Sequence, residues 1–391
     1  MSYIHRLLEQ PLNAALARGK SILLLGPRQT GKTTLIGQLQ VDWNLSLALV
    51  HERLRFEKDP GLLIGEVEAL AHTLKKMPLV VIDEIQKVPI LMDNVQYLID
   101  NKIAQFILTG SSARKLRSSH SNLLPGRVVV LRLDPLLLNE LPENSVSLED
   151  LLYYGSLPNI ITTHEIADKE IDLYSYVSTY LEEEIRQEAL TRNVGTFAKF
   201  LELVASESGK LSNFNNISQQ LGVSHATVTS YFQILEDCLI VERVDAVSLS
   251  STRRRLSKAA KYILFDLGLR RSCAHEGTQL PESYLGHLFE QWVGLELIRL
   301  ARLQGPQWQI QHWRDNNGAE VDWIIVHNKK IIPVEVKWTD GPTTKDARHL
   351  KTFLQEYNIP KGYIICRTPR PLQISDAILA LPWQSIGNVF D

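Results

Sequence analysis

Cysteine and methionine are scarce in this chain, three of each in 391 residues. Cys238, Cys273 and Cys366 lie far apart, with no C-x-x-C pair and no zinc-ligand spacing. That excludes a disulfide framework and a zinc finger, and it points to a reducing, cytoplasmic setting. Long apolar runs are missing too. None approaches the roughly 20 residues of a bilayer-spanning helix, so no membrane role is expected. The opening MSYIHRLLEQ is a polar, amphipathic start without the apolar core of a signal peptide. An excess of one charge is also lacking: the formal net charge is −2. Any contact with nucleic acid must therefore come from a local basic patch. What is present is ordinary for a globular protein, 44% hydrophobic and 22% charged residues. The length suits roughly two to four domains.

The stretch with the sharpest chemistry is SILLLGPRQTGKTTL, residues 21–35. An apolar strand (22–25) runs into a loop bounded by Gly26 and Gly31, and a helix begins at Lys32. This is the G-x-x-x-x-G-K-[ST] pattern in its strand–loop–helix context. Gly26 and Gly31 can take backbone angles closed to residues with a Cβ. The loop Pro27, Arg28, Gln29 and Thr30 can then wrap a phosphate, the last three turning their N–H groups toward it, and the N-terminus of the helix adds partial positive charge. Lys32 would reach the β- and γ-phosphates of ATP, Thr33 would ligate Mg²⁺, and Thr34 continues the cradle.

A second apolar run, Leu79-Val80-Val81-Ile82, ends in Asp83-Glu84. It predicts a buried strand with two acids at its carboxyl edge, where ligands sit in open α/β sheets. Asp83 would hold Mg²⁺ and Glu84 would act as general base. A third strand, residues 104–108, ends in Thr109-Gly110-Ser111-Ser112. Arg127 precedes a strand at 128–131. It is either an arginine finger reaching a neighbouring subunit's nucleotide or a surface arginine paired to an acid. Arg114, Lys115 and Arg117 are alternative fingers or polyanion contacts.

Residues 136–195 read as mostly helical, with a break at Tyr154-Gly155-Ser156-Leu157-Pro158 and a long helix from about 166 to 189. Glu182, Glu183 and Glu184 on that helix are expected to be a solvated face. From 196 the pattern changes to a helix-turn-helix: Phe197, Phe200, Leu201 and Val204 at helical spacing, then Gly222, then a helix capped by Ser224. A strand at 239–244 and the basic run 252–258 complete a winged-helix pattern, and the charge of that run suits phosphate contacts. The exposed candidates on the second helix are Ser224, His225, Thr227, Thr229 and Ser230, none of them Arg or Lys. That favours backbone or shape contacts with DNA, or a module used only for packing.

Residues 284–367 predict the order α-β-β-β-α-β, with the second helix over 343–357. Asp322 lies on one hairpin strand and Glu335 on its partner. Glu335 and Lys337 are two apart and share a face. Two carboxylates can converge on Mg²⁺ while the lysine orients water and steadies a phosphate. Glu290, on the leading helix between Gly286 and Gly294, can join them if that helix approaches the sheet closely. Glu320 shares the strand face of Asp322. The competing reading is an ordinary hairpin with a Glu/Lys pair. His312 and Trp313 are expected to pack.

On GPRQTGKTTL, LVVIDEIQKVP, ILTGSSA, LPGRV, the YGSLP break, and GAEVDWIIV with IPVEVKW, the chain resembles a group of prokaryotic AAA+ ATPases. These are related to the archaeal ATPases and carry a C-terminal domain of PD-(D/E)xK nuclease-like ancestry. The resemblance covers nearly the whole chain. It implies Walker roles for Lys32, Thr33, Asp83 and Glu84, and a γ-phosphate sensor at Thr109 or Ser111. It also implies a helical lid, and nuclease-type roles for Glu290, Asp322, Glu335 and Lys337. Trp323 stands where a smaller residue is common. The expected architecture is α/β: a P-loop AAA+ core (1–135), a helical lid (136–195), a winged helix (196–260) and a C-terminal α/β restriction-endonuclease-like domain (261–391). The expected function is an ATP- and Mg²⁺-dependent ATPase, assembled as a ring-shaped homo-oligomer, that acts on nucleic acid with DNA favoured. The alternative is a nucleotide-driven switch or scaffold whose nuclease-like domain only binds a partner.

Overall fold

A computed structural model describes residues 3–112, 124–142, 145–181, 194–247, 259–315 and 318–391. The expected basic run at 252–258, Glu182 to Glu184, and Arg114, Lys115 and Arg117 lie outside the described residues. After helix α1 (Glu9–Ala17), a sheet forms from β1 (Ser21–Leu25), β2 (Trp43–Ser46), β3 (Leu79–Asp83), β4 (Gln105–Gly110) and β5 (Val128–Arg132). Its order is β2-β3-β4-β1-β5 and every pair is parallel. The central strands are buried because helices cover both faces, which is why β1 and β3 read as unbroken apolar runs. With β4 between β1 and β3, the loop after β1, Asp83 and Thr109 meet at one carboxyl edge.

The helices that follow pack as one core from Tyr154 to Cys273, on both sides of residue 260. It takes in the end of helix α2 (Leu148–Tyr154), α3 (Pro158–Thr162), α4 (Ile166–Ser175) and the start of a π-helical stretch, Tyr176–Leu181. The helix expected from 166 thus changes type after Ser175. Next come α5 (Val194–Ser206), α6 (Phe214–Leu221) and α7 (His225–Asp237). Asn213 caps α6, Gly222 turns the chain at φ +65°, and the Ser224 hydroxyl accepts from the Thr227 amide to cap α7. Phe197, Phe200, Tyr231 and Phe232 interlock at their centre. Two antiparallel strands, β6 (Val241–Val244) and β7 (Lys261–Leu264), lie beside them, followed by helix α8 (Leu267–Cys273).

The last part opens with α9 (Glu282–Gln304). Its mixed sheet has the order β12-β13-β11-β10-β9-β8, from β8 (Trp308–Arg314), β9 (Glu320–His327), β10 (Lys330–Val336), β11 (Gly362–Cys366), β12 (Leu372–Ser375) and β13 (Ile378–Pro382). Helix α10 (Arg348–Tyr357) sits between β10 and β11, which completes the expected α-β-β-β-α-β order. It starts five residues later than expected. The amide and hydroxyl of Thr343 both donate to the Asp346 carboxylate, and this local turn outcompetes a first helical turn. His312 and Trp313 are buried, and so are all three cysteines, none of them joined in a disulfide. Among the described residues no helix is long and apolar enough to cross a membrane.

Gly294 explains how Trp323 is accommodated: a Cβ at Gly294 would overlap the indole, so the glycine is what lets α9 lie on the sheet. Gly294→Ala is expected to cost about 1–3 kcal/mol through overpacking. Denaturant melts check this, and an unchanged midpoint would refute the tight fit.

Candidate active site

The loop after β1 is tied down from outside by its carbonyls. Lys32 Nζ donates to Gly26 O at 2.7 Å and to Pro27 O at 2.9 Å. Thr30 Oγ1 donates to Pro27 O, Tyr176 Oη to Arg28 O, and Arg6 Nη1 to Thr30 O at 2.7 Å. Gln29 and Gly31 take left-handed backbone, with φ +60° and +93°. Left-handed residues among right-handed ones are what turn successive amides into an anion-binding concavity. Gly26 does not use a positive φ, contrary to expectation. It is needed because a Cβ there would overlap Leu133 O. The helix after the loop is short, Lys32–Ile36, so the loop amides and Lys32 contribute more than a helix dipole. Thr33 and Thr34 are exposed at its start. A cradle that excludes a Cβ, with an ammonium already inside it, fits a triphosphate.

At the neighbouring strand ends, Thr109 Oγ1 donates to Asp83 Oδ1 and accepts from the Glu84 amide at 3.1 Å. Ser46 Oγ lies 3.4 Å from Asp83 Oδ2. Glu84 sits at φ +61°, unusual for a residue with a Cβ. Its carboxylate accepts from Gln86 Nε2 at 2.5 Å, and Gln86 also reaches Ser111 Oγ at 3.3 Å. Thr109 is therefore the residue on the Asp83 carboxylate, and Ser111 acts one step away through Gln86. An acid fixed by two hydroxyls beside the cradle suits Mg²⁺. Arg127 is forked onto Asp100 at 2.6 and 2.9 Å. It precedes β5, while the far end of that strand, Arg132, lies beside Leu25 and the loop. Arg127 is thus remote from its own chain's cradle.

A second cluster lies in the C-terminal sheet. Asp322 and Glu335 are buried. Asp322 Oδ2 accepts from the Val336 amide at 2.8 Å, and Lys337 Nζ donates to Glu335 Oε1 at 2.7 Å. Glu335 Oε2 is buried with no hydrogen-bond partner. Burial and then the Glu335 and Glu290 charges push the Asp322 carboxyl well above its usual range. Burial likewise raises Glu335, against the pull of Lys337. Crowded, desolvated acids with an orphaned oxygen fit a hard cation. Glu290 reaches the same neighbourhood, but its Oε1 is held by Lys261 Nζ at 2.9 Å. Glu320 pairs with Arg314. Among the described residues no three His, Cys, Asp or Glu side chains converge as a metal-holding group.

Residues 18–141 match the family model described as an AAA domain. Residues 18–141 are an AAA domain, of the P-loop ATPase family. Residues 145–280 and 285–386 match two models described as domains of unknown function, DUF8612 and DUF4143. Uncharacterized protein Rv2008c of Mycobacterium tuberculosis is 25% identical over 380 residues, 96% of this chain and 82% of that protein. The Mycobacterium bovis protein Mb2031c gives the same figures. Among solved structures, the Candida albicans Pif1 helicase is 18% identical, with 44% of this chain and 47% of that one covered at a TM-score of 0.24. A STAND protein with a tetratricopeptide repeat sensor, from Pyrococcus horikoshii, is 11% identical, with 78% and 46% covered at 0.26. The chain spans about half the length of those two structures, and superpositions this shallow decide nothing about fold or role.

The AAA domain is joined to the rest through buried charge. Asp134, just after β5, is bound by Arg132 Nε at 2.9 Å and by Arg302 of α9. Arg132 and Arg302 both also bind Glu242 of β6. Arg6, beneath the phosphate loop, donates to Asp134 O at 2.6 Å and to Glu140 at 3.0 Å. Arg299 of α9 reaches Ser156 Oγ and Phe265 O. Burial works to raise Asp134, but Arg302 and Arg132 outweigh it and hold its carboxyl low. Arg6, Tyr176, Gln86, Ser46 and Lys261 have no signal in spacing alone, except that Gln86 stands two residues after Glu84.

Glu296 is the costly member of this junction. Burial pushes its carboxyl up to about 7, against Arg299 and the Leu138 amide. Its native value lies above the ordinary 4.5, so between those pH values the native state keeps a proton that the unfolded chain releases. Stability must then fall as pH rises through that window, by about 3 kcal/mol in all. Glu296→Gln keeps an acceptor for Leu138 and is expected to remove this slope, matching the parent at pH 4.5 and exceeding it at pH 8. Denaturant unfolding across pH checks it, and parallel slopes would refute it.

Proposed function

We propose that this chain is an ATPase whose hydrolysis drives an action on nucleic acid, DNA in the first instance. The observation that carries the reading is the glycine cradle holding the Lys32 ammonium, next to Asp83 fixed by Thr109 and Ser46. Lys32 exchanges two loop carbonyls for β- and γ-phosphate oxygens. The loop keeps its shape because Arg6, Tyr176 and Thr30 hold its other carbonyl contacts. Mg²⁺, held by Thr33 and Asp83, would supply charge neutralisation on the phosphates. Glu84 takes the proton of the attacking water as its oxygen bonds the γ-phosphorus and the bridging bond to ADP breaks. Gln86 steers the Glu84 carboxylate, and Thr109 sets its backbone.

Residues 196–260 are read as a winged helix, on the capped helix pair and on β6, which β7 pairs just beyond that span. On α7, Ser224 and Thr227 spend their hydroxyls on each other and Thr229 on its own helix, which favours backbone and shape contacts with DNA. Residues 261–391 are read as a nuclease-like domain, with its acids on the elements from α9 onward. Asp322 and Glu335 would hold a divalent cation, Lys337 would orient water or steady phosphate, and Glu290 would add a third carboxylate. A ring of identical subunits is proposed from the AAA domain match. Arg127 would serve as a finger in a neighbour only by leaving Asp100.

One observation favours the second reading, a nucleotide-driven switch or scaffold that grips without cutting. Both lysines near the C-terminal acids are engaged by them, Lys261 by Glu290 and Lys337 by Glu335. Cleavage of linear DNA with Mg²⁺ or Mn²⁺ separates the two. Cutting by the parent that is lost in Lys337→Ala supports the nuclease half, and no cutting by either protein leaves the switch.

For the ATPase, Lys32→Ala is expected to abolish ATP binding. Glu84→Gln is expected to keep binding and lower turnover at least about a hundredfold, the scale of a lost general base. Fluorescent-nucleotide titration and phosphate release check both, and normal turnover in Glu84→Gln would remove the base assignment.

A further inference from the structure

Lys261 does not come from the sheet whose acids it meets. It belongs to β7, where it pairs with Val244, and an isolated bridge ties it to Leu211 as well. Its side chain is 9% exposed. Its ammonium lies 2.9 Å from Glu290 Oε1 and 5.3 Å from the centre of the Trp323 ring. It is thus a fixed positive charge delivered by the middle region into the C-terminal acid cluster. Glu335 Oε2 is buried without a hydrogen-bond partner, whereas Glu290 Oε1 is held by Lys261. Fully ionised, as they would be around a cation, Glu290, Asp322 and Glu335 carry three negative charges against the two positive ones of Lys261 and Lys337. With Lys261 in place the balance is −1. Without it the balance is −2, the charge that a divalent cation with oxygen ligands matches.

We propose that Lys261 is an internal counter-ion that competes with a divalent cation for Glu290, so that the middle region controls whether the C-terminal cluster holds metal. The proposal rests on the metal-site reading of Asp322 and Glu335 given above. The strand that carries Lys261 is placed to respond to the helix pair. Tyr262 lies 4.1 Å, ring centre to ring centre, from Phe232 of α7, which stacks on Phe214 of α6. A displacement of α7 is passed to β7 through these rings, and Lys261 is the next residue along. Release of Lys261 from Glu290 frees the third carboxylate, and its return expels the cation.

The test is Mn²⁺ binding to the full-length, nucleotide-free protein, followed by electron paramagnetic resonance of the free ion, with no DNA and no turnover involved. Lys261→Met is expected to bind Mn²⁺ at least tenfold more tightly than the parent. Asp322→Asn is expected to abolish that site. Adding Glu290→Gln to Lys261→Met is expected to erase the gain, because the lysine acts by withholding that carboxylate. Unchanged or weaker binding in Lys261→Met overturns the proposal. So does a gain that survives in the double variant, and so does a lack of binding to every form. Should Lys261→Met fail to fold, Mn²⁺-soaked crystals of the parent decide. An anomalous peak at Asp322 and Glu335 with Lys261 off Glu290 supports the proposal, and a peak with that ion pair intact overturns it. Failure of DNA cleavage leaves these outcomes untouched, so the two readings fall separately.

Discussion

Arg302 and Arg132 share two carboxylates, Asp134 and Glu242, away from water. Each of the four groups comes with a large desolvation cost, so removing one would leave the others buried and unpaired. The four come from the end of β5, two residues beyond it, β6 and α9. The cluster therefore fixes three parts of the chain against each other at one point. Arg6 extends it directly under the phosphate loop through the Asp134 and Thr30 carbonyls. The shape of the nucleotide cradle thus depends on groups up to about 300 residues away in sequence.

The cradle follows a simple division of labour. Its carbonyls are taken by Lys32, Thr30, Tyr176 and Arg6. Its amides, and the Lys32 ammonium in exchange for the two carbonyls it holds, suit an anion. The same economy governs the neighbouring strand ends, where Thr109 satisfies both the Asp83 carboxylate and the Glu84 amide. That second bond holds Glu84 in a left-handed conformation that a residue with a Cβ otherwise avoids.

The fold was legible wherever period and punctuation were strong. Unbroken apolar runs gave β1 and β3, glycines and caps gave α6 and α7, and two apolar runs parted by a polar turn gave β9 and β10. Short-range placement was legible too: Lys32 at the loop, Asp83 and Glu84 at a strand's end, and Glu335 beside Lys337 follow from spacings of a few residues. What the sequence hid was long-range. Nothing near Arg6 marks it as the loop's support, and nothing near Lys261 says that it meets Glu290. Such contacts depend on how separate elements dock, and no local period encodes that. Trp323 shows the same limit: it departs from the expected small residue, and its compensation is Gly294 on another element. The start of α10 was missed because Asp346 offers Thr343 a local turn that competes with the helix.

Helix α9 carries Glu290 in its first half and Arg299 and Arg302 near its C-terminal end. At 1.5 Å per residue, Glu290 and Arg302 stand about 18 Å apart on one rigid rod. Although three family models divide this chain neatly, the rod makes its parts poor candidates for independent exchange. A graft that swapped only the last segment between relatives would import arginines cut to fit someone else's acids. Inheritance of this architecture should therefore run in whole chains, with the junction residues travelling as a set.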